Sequence, residues 1–383
     1  MHLTIYVHDF HSQIGHSRAM QELLNGLSSA QKATISSIEV VAFTCGDLNK
    51  MFPDFRCEKF FTEVSFPKLK PFLIKTIYYH LASLSHSMTK GQGRKKIGIG
   101  IACPNVDIVN VQFIHEQWKH YFLQSRKLSF ISRIYKKILF FYFSIFEKYV
   151  YSFRVNVKFI VIANFLKTFL SQKFNTPENQ MTIIPSGVNT EEFNLYGGDS
   201  DDLTKKLLLN YPQLKDISFA QPVALFVGAF ERKGLGRALD ALRKIPNAQL
   251  IVIGQSENTK FKMPELPYKV AHIPFTKEVS LFYQIADLFI FPTQYEPFGL
   301  VIIEAYVMGL DLIIPVENVG ASEIIQQSEG INFFHQGEEI QLKSLKKIPL
   351  EVKRQRRNER LEKIKKYSWQ ASSEKFFQIL SAD

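Results

Sequence analysis

Two glutamates, Glu296 and Glu304, stand eight positions apart in the segment FPTQYEPFGLVIIEA, Phe291 to Ala305. If Pro297 to Gly299 form a turn into a helix, Glu296 stands in the loop and Glu304 about one and a half turns into the helix, so both carboxylates can line one cleft. A carboxylate accepts two hydrogen bonds and suits the vicinal hydroxyls of a sugar or a ribose. Free N–H groups at Phe298, Gly299 and Leu300 suit phosphate or sugar oxygens. By spacing alone the pair would serve equally as a surface N-cap and a solvated helix glutamate. Upstream, in FVGAFERKGLGRALDAL, Arg232 and Lys233 precede Gly234 at a strand-to-helix connection, where cations and a helix N-terminus would both face a diphosphate. Near the start of the chain, Gly15 to Arg18 (GHSR) opens a helix whose first N–H groups can cradle an anion within reach of Arg18. A lone histidine, His115, follows the strand-like run VDIVNVQFI.

The elements that must position these groups alternate along the chain. In the first half, HLTIYVHDF, IEVVAF, VDIVNVQFIH and NVKFIVIAN read as buried strands separated by helical patterns, which predicts a parallel α/β sheet. The alternation restarts with PVALFVGAF, AQLIVIG, DLFIFPT and LDLIIPV, which predicts a second α/β domain. The polar stretch between them, with a Gly-Gly pair and an acidic cluster, predicts a linker near residues 193–218. A basic stretch from Lys353 to Lys366 precedes YSWQASSEKFFQIL, whose Trp369, Phe376, Phe377 and Leu380 can pack a final helix against another domain.

The element EPFGLVIIEA after ADLFIFPT resembles the E-x7-E signature of retaining glycosyltransferases of family 4. FVGAFERKG resembles the same family's FVG and KG element, and IIPSGVNTEEF its inter-domain segment. Gly320 and Glu323 in NVGASEII match its GG..E pattern in part, and YSW resembles its crossing-back segment. These matches run in order over residues 183–383. The resemblance implies a GT-B fold: two Rossmann-like domains with parallel sheets facing a deep inter-domain cleft, and a C-terminal helix crossing back to the first domain. On that basis residues 1–200, completed by about 367–383, form the acceptor-side domain, and residues 201–366 bind the nucleotide-sugar donor. It also implies that Glu296 orients the donor sugar, Phe298, Gly299 and Leu300 offer amides, and Glu304 holds the ribose. Gly228 and the Gly15–Arg18 loop join the donor site, and His115 is the cleft histidine near the reacting sugar. Ala229 stands where the family often has arginine, so Arg232 takes that role. The adjacent Arg-Lys-Gly is most like bacterial lipopolysaccharide-core glucosyltransferases.

Composition narrows the classes. The chain has 383 residues, 46% hydrophobic and 22% charged, a globular balance that excludes disordered and fibrous chains. Three cysteines (Cys45, Cys57, Cys103) without CxxC spacing suggest neither a disulfide framework nor zinc, and no metal is expected. KGQGRKKIGIG fits neither dinucleotide nor P-loop spacing. The apolar run Ile138 to Phe146 is too short to span a bilayer, and the N-terminus reads as a strand rather than a secretory signal, so a cytoplasmic protein is expected.

Net charge is +11, of which residues 1–200 carry +9 (23 basic against 14 acidic residues). Residues 119–158 hold nine of those cations, among them Arg126, Lys127, Arg133, Lys136 and Lys137, against the single acid Glu147, interleaved with twelve Phe and Tyr. Such a segment suits an anionic membrane surface, with aromatics at headgroup level. A core helix with merely solvated cations is the competing reading, and no nucleic-acid reader motif accompanies the charge.

The expectation is a peripheral enzyme on the inner face of the plasma membrane that moves a hexose from a nucleoside-diphosphate sugar, a UDP-sugar in first place, to a lipid-linked glycan such as lipopolysaccharide core. No separate cofactor is expected. A GDP-mannose-dependent mannosyltransferase and a non-catalytic membrane or partner-binding protein of the same fold are the alternatives.

Overall fold

The computed structural model describes residues 1–66, 71–125, 129–152, 156–188, 200–256 and 261–382. The chain divides into two compact units, Met1–Gly187 with Trp369–Asp383, and Val188–Ser368. The division therefore falls ahead of the boundary expected at residue 200. The first unit holds β1 (His2–Tyr6), β2 (Asp9–Phe10), β3 (Ser37–Ala42), β4 (Thr44–Cys45), β5 (Glu58–Glu63), β6 (Lys95–Ile99), β7 (Ile108–Val111), β8 (Lys158–Val161) and β9 (Met181–Ile183). The second holds β10 (Ala224–Val227), β11 (Gln249–Ile253), β12 (Lys269–Ile273), β13 (Leu288–Ile290), β14 (Asp311–Pro315) and β15 (Ile331–Phe334).

Each unit is built on a parallel sheet. The first has the order β5-β3-β1-β6-β7-β8-β9 and the second β12-β11-β10-β13-β14-β15, with β2 and β4 pairing separately. Every residue of β3, β10 and β11 is buried, as expected of strands covered on both faces by crossover helices. The edge strand β5, EKFFTE, half-buries only Lys59 and Thr62 and leaves Phe60 and Phe61 at the surface. In the second unit Phe226, Leu239, Leu242, Leu250, Val252, Leu288, Ile290 and Ile313 interlock as one core. Trimming one such leucine to alanine costs about 2–5 kcal/mol.

In both sheets the strand order reverses direction at one place, between β1 and β6 in the first and between β10 and β13 in the second. Loops leaving the carboxyl ends of the two strands at such a reversal diverge to opposite faces and leave a crevice between them, which is where open α/β sheets bind ligands.

The last helix, Trp369–Ser381, packs on the Gly15–Asn25 helix of the first unit and buries Trp369, Phe376 and Leu380. A Cβ added at Gly26 would lie 2.3 Å from Ser373 Oγ and 3.1 Å from the Trp369 carbonyl oxygen, so the glycine permits this close approach. Ser372 Oγ donates to the Pro185 carbonyl at 2.8 Å. The linker expected near 193–218 is corrected beyond its start: residues 189–199 lie outside the described residues, but Ser200–Asn210 is a helix and Pro212–Leu214 a 3-10 turn. Leu203, Leu207 and Leu214 carry that segment into the second unit's interior, an apolar spacing that its charged neighbours hide.

Candidate functional site

The second unit brings Arg232, Lys233 and Glu296 together at its strand-order reversal. The turn after β10 is the short helix Phe230–Lys233, which Gly234 ends at φ +81°. A Cβ at Gly234 would meet the Pro292 carbonyl oxygen at 2.2 Å, so only glycine lets this turn lie against the chain leaving β13. Gly228, at φ +134°, leaves room for the Lys233 stem, whose Cγ a Cβ there would approach to 3.0 Å. Thr293 Oγ1 donates to the Arg232 carbonyl at 3.1 Å and ties the two loops together.

Lys233 is 7% exposed, and its ammonium touches Glu296 Oε2. Arg232 Nη1 lies 3.4 Å from the same oxygen. The Lys233 ammonium also stands 5.0 Å from the centre of the Phe291 ring. Burial, aided by the neighbouring Arg232 charge, pushes Lys233 well below the usual lysine range. The Glu296 carboxylate against it favours the charged form. Two cations and one carboxylate at the mouth of a parallel sheet can receive an anion and hold a polyhydroxyl beside it.

Glu296 is fixed through its backbone. Its N–H donates to the Asn318 carbonyl at 2.9 Å, Gly320 N–H donates to the Glu296 carbonyl at 3.1 Å, and Ala321 N–H donates to the Phe298 carbonyl at 2.7 Å. The segment around Gly320 and Glu323, a 3-10 turn, thus braces the glutamate loop. Gly299, at φ +95°, starts the helix Leu300–Val307, and no side chain caps it. Its first amides point along the helix axis, where the aligned peptide dipoles favour an anion. Glu304 lies on that helix at 5% exposure, and Tyr283 from the Val279–Ile285 helix donates its hydroxyl to Glu304 Oε2 at 3.1 Å. Sequence reasoning missed Tyr283, because nothing in VSLFYQIA marks which aromatic faces a carboxylate twenty-one positions later.

In the first unit, Gly15 begins the helix Gly15–Asn25 after β1 and β2, with no capping side chain and open space at its Cβ position. Arg18 lies in its first turn, half-buried. His115 begins the helix His115–Ser125, beyond the carboxyl end of β7.

Arg133, Lys136 and Lys137 lie on the long helix Phe130–Ser152; Arg126 and Lys127 lie outside the described residues. Arg133 and Lys137 are exposed, and Lys136 is half-buried with its ammonium 5.3 Å from the centre of the Phe122 ring. The same helix exposes Phe130, Ile131, Ile134, Ile138, Phe141 and Ile145, while Phe140, Phe143 and Tyr151 are buried. The outward stripe is therefore mainly isoleucine, and several of the aromatics expected at a surface belong to the core. The adjoining helix Phe72–Met88 adds exposed Phe72, Ile74, Tyr78, Leu81 and Met88. The two helices are joined where His80 Nδ1 and the Tyr142 hydroxyl share a 2.6 Å hydrogen bond and His80 stacks on Phe146 at 3.9 Å. No helix among the described residues is long and apolar enough to cross a membrane.

Residues 213–367 match the family described as glycosyl transferases group 1. The chain is 28% identical over 175 residues to the alpha-monoglucosyldiacylglycerol synthase of Acholeplasma laidlawii, covering 43% of this chain and 42% of the synthase. The curated relatives it matches are covered over less than two thirds of their own lengths. Among solved structures, WaaG, a glycosyltransferase involved in lipopolysaccharide biosynthesis, superposes with a TM-score of 0.73 at 18% identity, covering 100% of both chains. HepE of Anabaena, solved in complex with UDP and glucose, superposes with a TM-score of 0.66 at 12% identity over 100% of this chain and 99% of its own. The fold is GT-B.

Proposed function

From a glycosyl transferases group 1 match over residues 213–367 within a GT-B fold, we propose that the protein is a retaining glycosyltransferase of family 4. It transfers a hexose from a UDP-sugar, UDP-glucose in first place, to a hydroxyl of a lipid-linked glycan such as lipopolysaccharide core. The observation that carries the reading is the meeting of Arg232, Lys233 and Glu296 where the strand order reverses. A leaving diphosphate gains negative charge as the glycosidic bond breaks. Two preorganised cations in a site largely closed to water stabilise that charge far more than they would in bulk solvent.

In this reading Glu296 orients the sugar, Glu304 accepts from the ribose hydroxyls with its carboxylate held by Tyr283, and the amides at Phe298, Gly299 and Leu300 meet the phosphates. Gly228 gives Lys233 its place, and Gly15, Arg18 and His115 are the first unit's own candidates for substrate contact. The diphosphate leaves the anomeric carbon from the same face on which the acceptor oxygen bonds to it, and the leaving phosphate takes up the acceptor hydroxyl's proton. The acceptor class draws support from the glycolipid and lipopolysaccharide relatives. The exposed apolar stripe flanked by Arg133, Lys137 and Lys148 supports peripheral attachment to the inner face of an anionic membrane.

The test is a thermal-shift panel of UDP, GDP, ADP and CMP on the wild type and on Glu304→Ala. A ligand at a hundredfold excess over its dissociation constant raises stability by about 2.7 kcal/mol. Stabilisation by UDP alone that disappears in Glu304→Ala is the expected result. No shift with any nucleotide, in a folded sample, overturns the donor-site assignment, and a shift with GDP alone replaces the donor.

A further inference from the structure

His115 is held by one helix from two directions. Glu147, on Phe130–Ser152 and fully buried, reaches the start of the His115–Ser125 helix from thirty-two positions away. Its Oε1 accepts from the His115 backbone N–H at 2.6 Å and lies 3.1 Å from His115 Nδ1, and its Oε2 accepts from the Glu116 N–H at 2.9 Å. One helical turn earlier, Phe143 stacks on the imidazole with ring centres 4.1 Å apart and planes 24° apart. Between these two, the Ser144 hydroxyl bonds to the Glu116 carboxylate. Three residues of one helix thus grip the imidazole and the first turn that carries it.

A carboxylate has no proton to give, so the contact at Nδ1 requires the imidazole to donate there. In the neutral ring that places the lone pair on Nε2, and the hydrogen bond made at one nitrogen decides the role of the other. Glu147 is the only acid among residues 119–158, and a structural cap would need only its two backbone contacts. The third contact, to Nδ1, selects a tautomer.

We propose that Glu147 is a positioning residue that holds His115 as the Nδ1–H tautomer, so that Nε2 accepts a hydrogen bond from a sugar hydroxyl. The inference rests on the transferase reading above for what His115 meets, but not for the tautomer itself. It assigns Glu147 an effect on turnover exerted through His115, without contact of its own with either substrate.

The experiment has a readout independent of activity. Nitrogen-15 spectra of histidine-labelled full-length protein, assigned at His115 by comparison with His115→Ala, report which ring nitrogen carries the proton. The wild type is expected to show Nδ1 protonated and Nε2 bare. Glu147→Gln keeps the shape but offers one oxygen and one NH2 to three N–H donors, so its spectrum should lose the pure Nδ1–H form. Its kcat should fall about 10- to 100-fold, the loss seen when the outer partner of a metal-bound histidine is removed, with donor KM and nucleotide thermal shift nearly unchanged. On a His115→Ala background the same change should cause no further loss. An Nε2–H tautomer in the wild type overturns the proposal whether or not the protein transfers sugar. So does a tautomer change that leaves kcat within twofold, or an equal loss on the His115→Ala background. Failure of the transferase reading itself would appear separately, as absent turnover and absent nucleotide binding in the wild type.

Discussion

Lys233 stands under opposed influences. Burial and Arg232 disfavour its charge, while Glu296 in contact with it favours the charge. On the proposed reading, an anionic phosphate arriving beside it would add a second favourable partner, and the side chain would respond most strongly when that leaving group carried most charge. Lys233→Ala should therefore lower kcat by about 10²- to 10³-fold with the fold retained. Initial rates measured beside a melting curve check this, and a near-wild-type rate would remove Lys233 from the chemistry. ERKG and EPFG were legible as candidate site segments because each sits at a strand-to-helix turn, but the ion pair between Lys233 and Glu296 was not. Tyr283 and Glu147 were not legible. Each serves a side chain presented by another helix, and only tertiary packing chooses which of many Tyr or Glu residues arrives there.

At the scale of elements, the helix Phe130–Ser152 sorts its residues onto two faces. Leu139, Phe140, Phe143, Glu147, Val150 and Tyr151 face inward, and Ile134, Ile138, Phe141, Ile145 and Tyr149 face outward at a spacing of three to four residues. Ile138 and Phe141 remain 51% and 67% exposed, which is costly for a helix that has no further task on that face. Each nearby cation adds about 1 kcal/mol of attraction to an anionic bilayer. The protein should co-sediment with vesicles containing anionic lipid but weakly with purely zwitterionic ones. Ile138→Glu with Phe141→Glu should abolish binding without lowering the melting temperature. Equal sedimentation of the double variant would move the contact elsewhere. The sequence showed the charge and the aromatics of this segment but not their sorting, since helical phase sends Phe140 and Phe141 to different sides. Within the C-terminal basic stretch, Lys353 and Arg360 are buried. Lys353 Nζ donates to the Gln284 carbonyl at 2.8 Å, and Arg360 donates to the Tyr306 and Leu310 carbonyls at 2.9 and 2.8 Å. Burial brings Lys353 down to about 8.

For the molecule as a whole, the two parallel sheets were legible from the restarted alternation of apolar strands and helical patterns, which carries its own period. The helix Ser200–Asn210 was not, because its polar composition suggested a linker and only its leucines mark a buried face. The last helix contributes Trp369, Phe376 and Leu380 to the first unit's interior, at about 1.5–3 kcal/mol for each such side chain. That sum is comparable with the whole margin of a typical domain. Removing residues 369–383 should therefore unfold the first unit while the second still binds nucleotide. Protease digestion with and without UDP, followed by mass spectrometry of the surviving fragment, would show it, and an intact first unit would refute it. A ribosome reaches Gly187 early, yet the nascent first unit must wait for the whole of Val188–Ser368 to be translated before its missing piece emerges from the exit tunnel. During that interval its unfilled apolar seam is open to chaperones and to neighbouring chains, while the second unit has all its own parts in hand and can finish folding first.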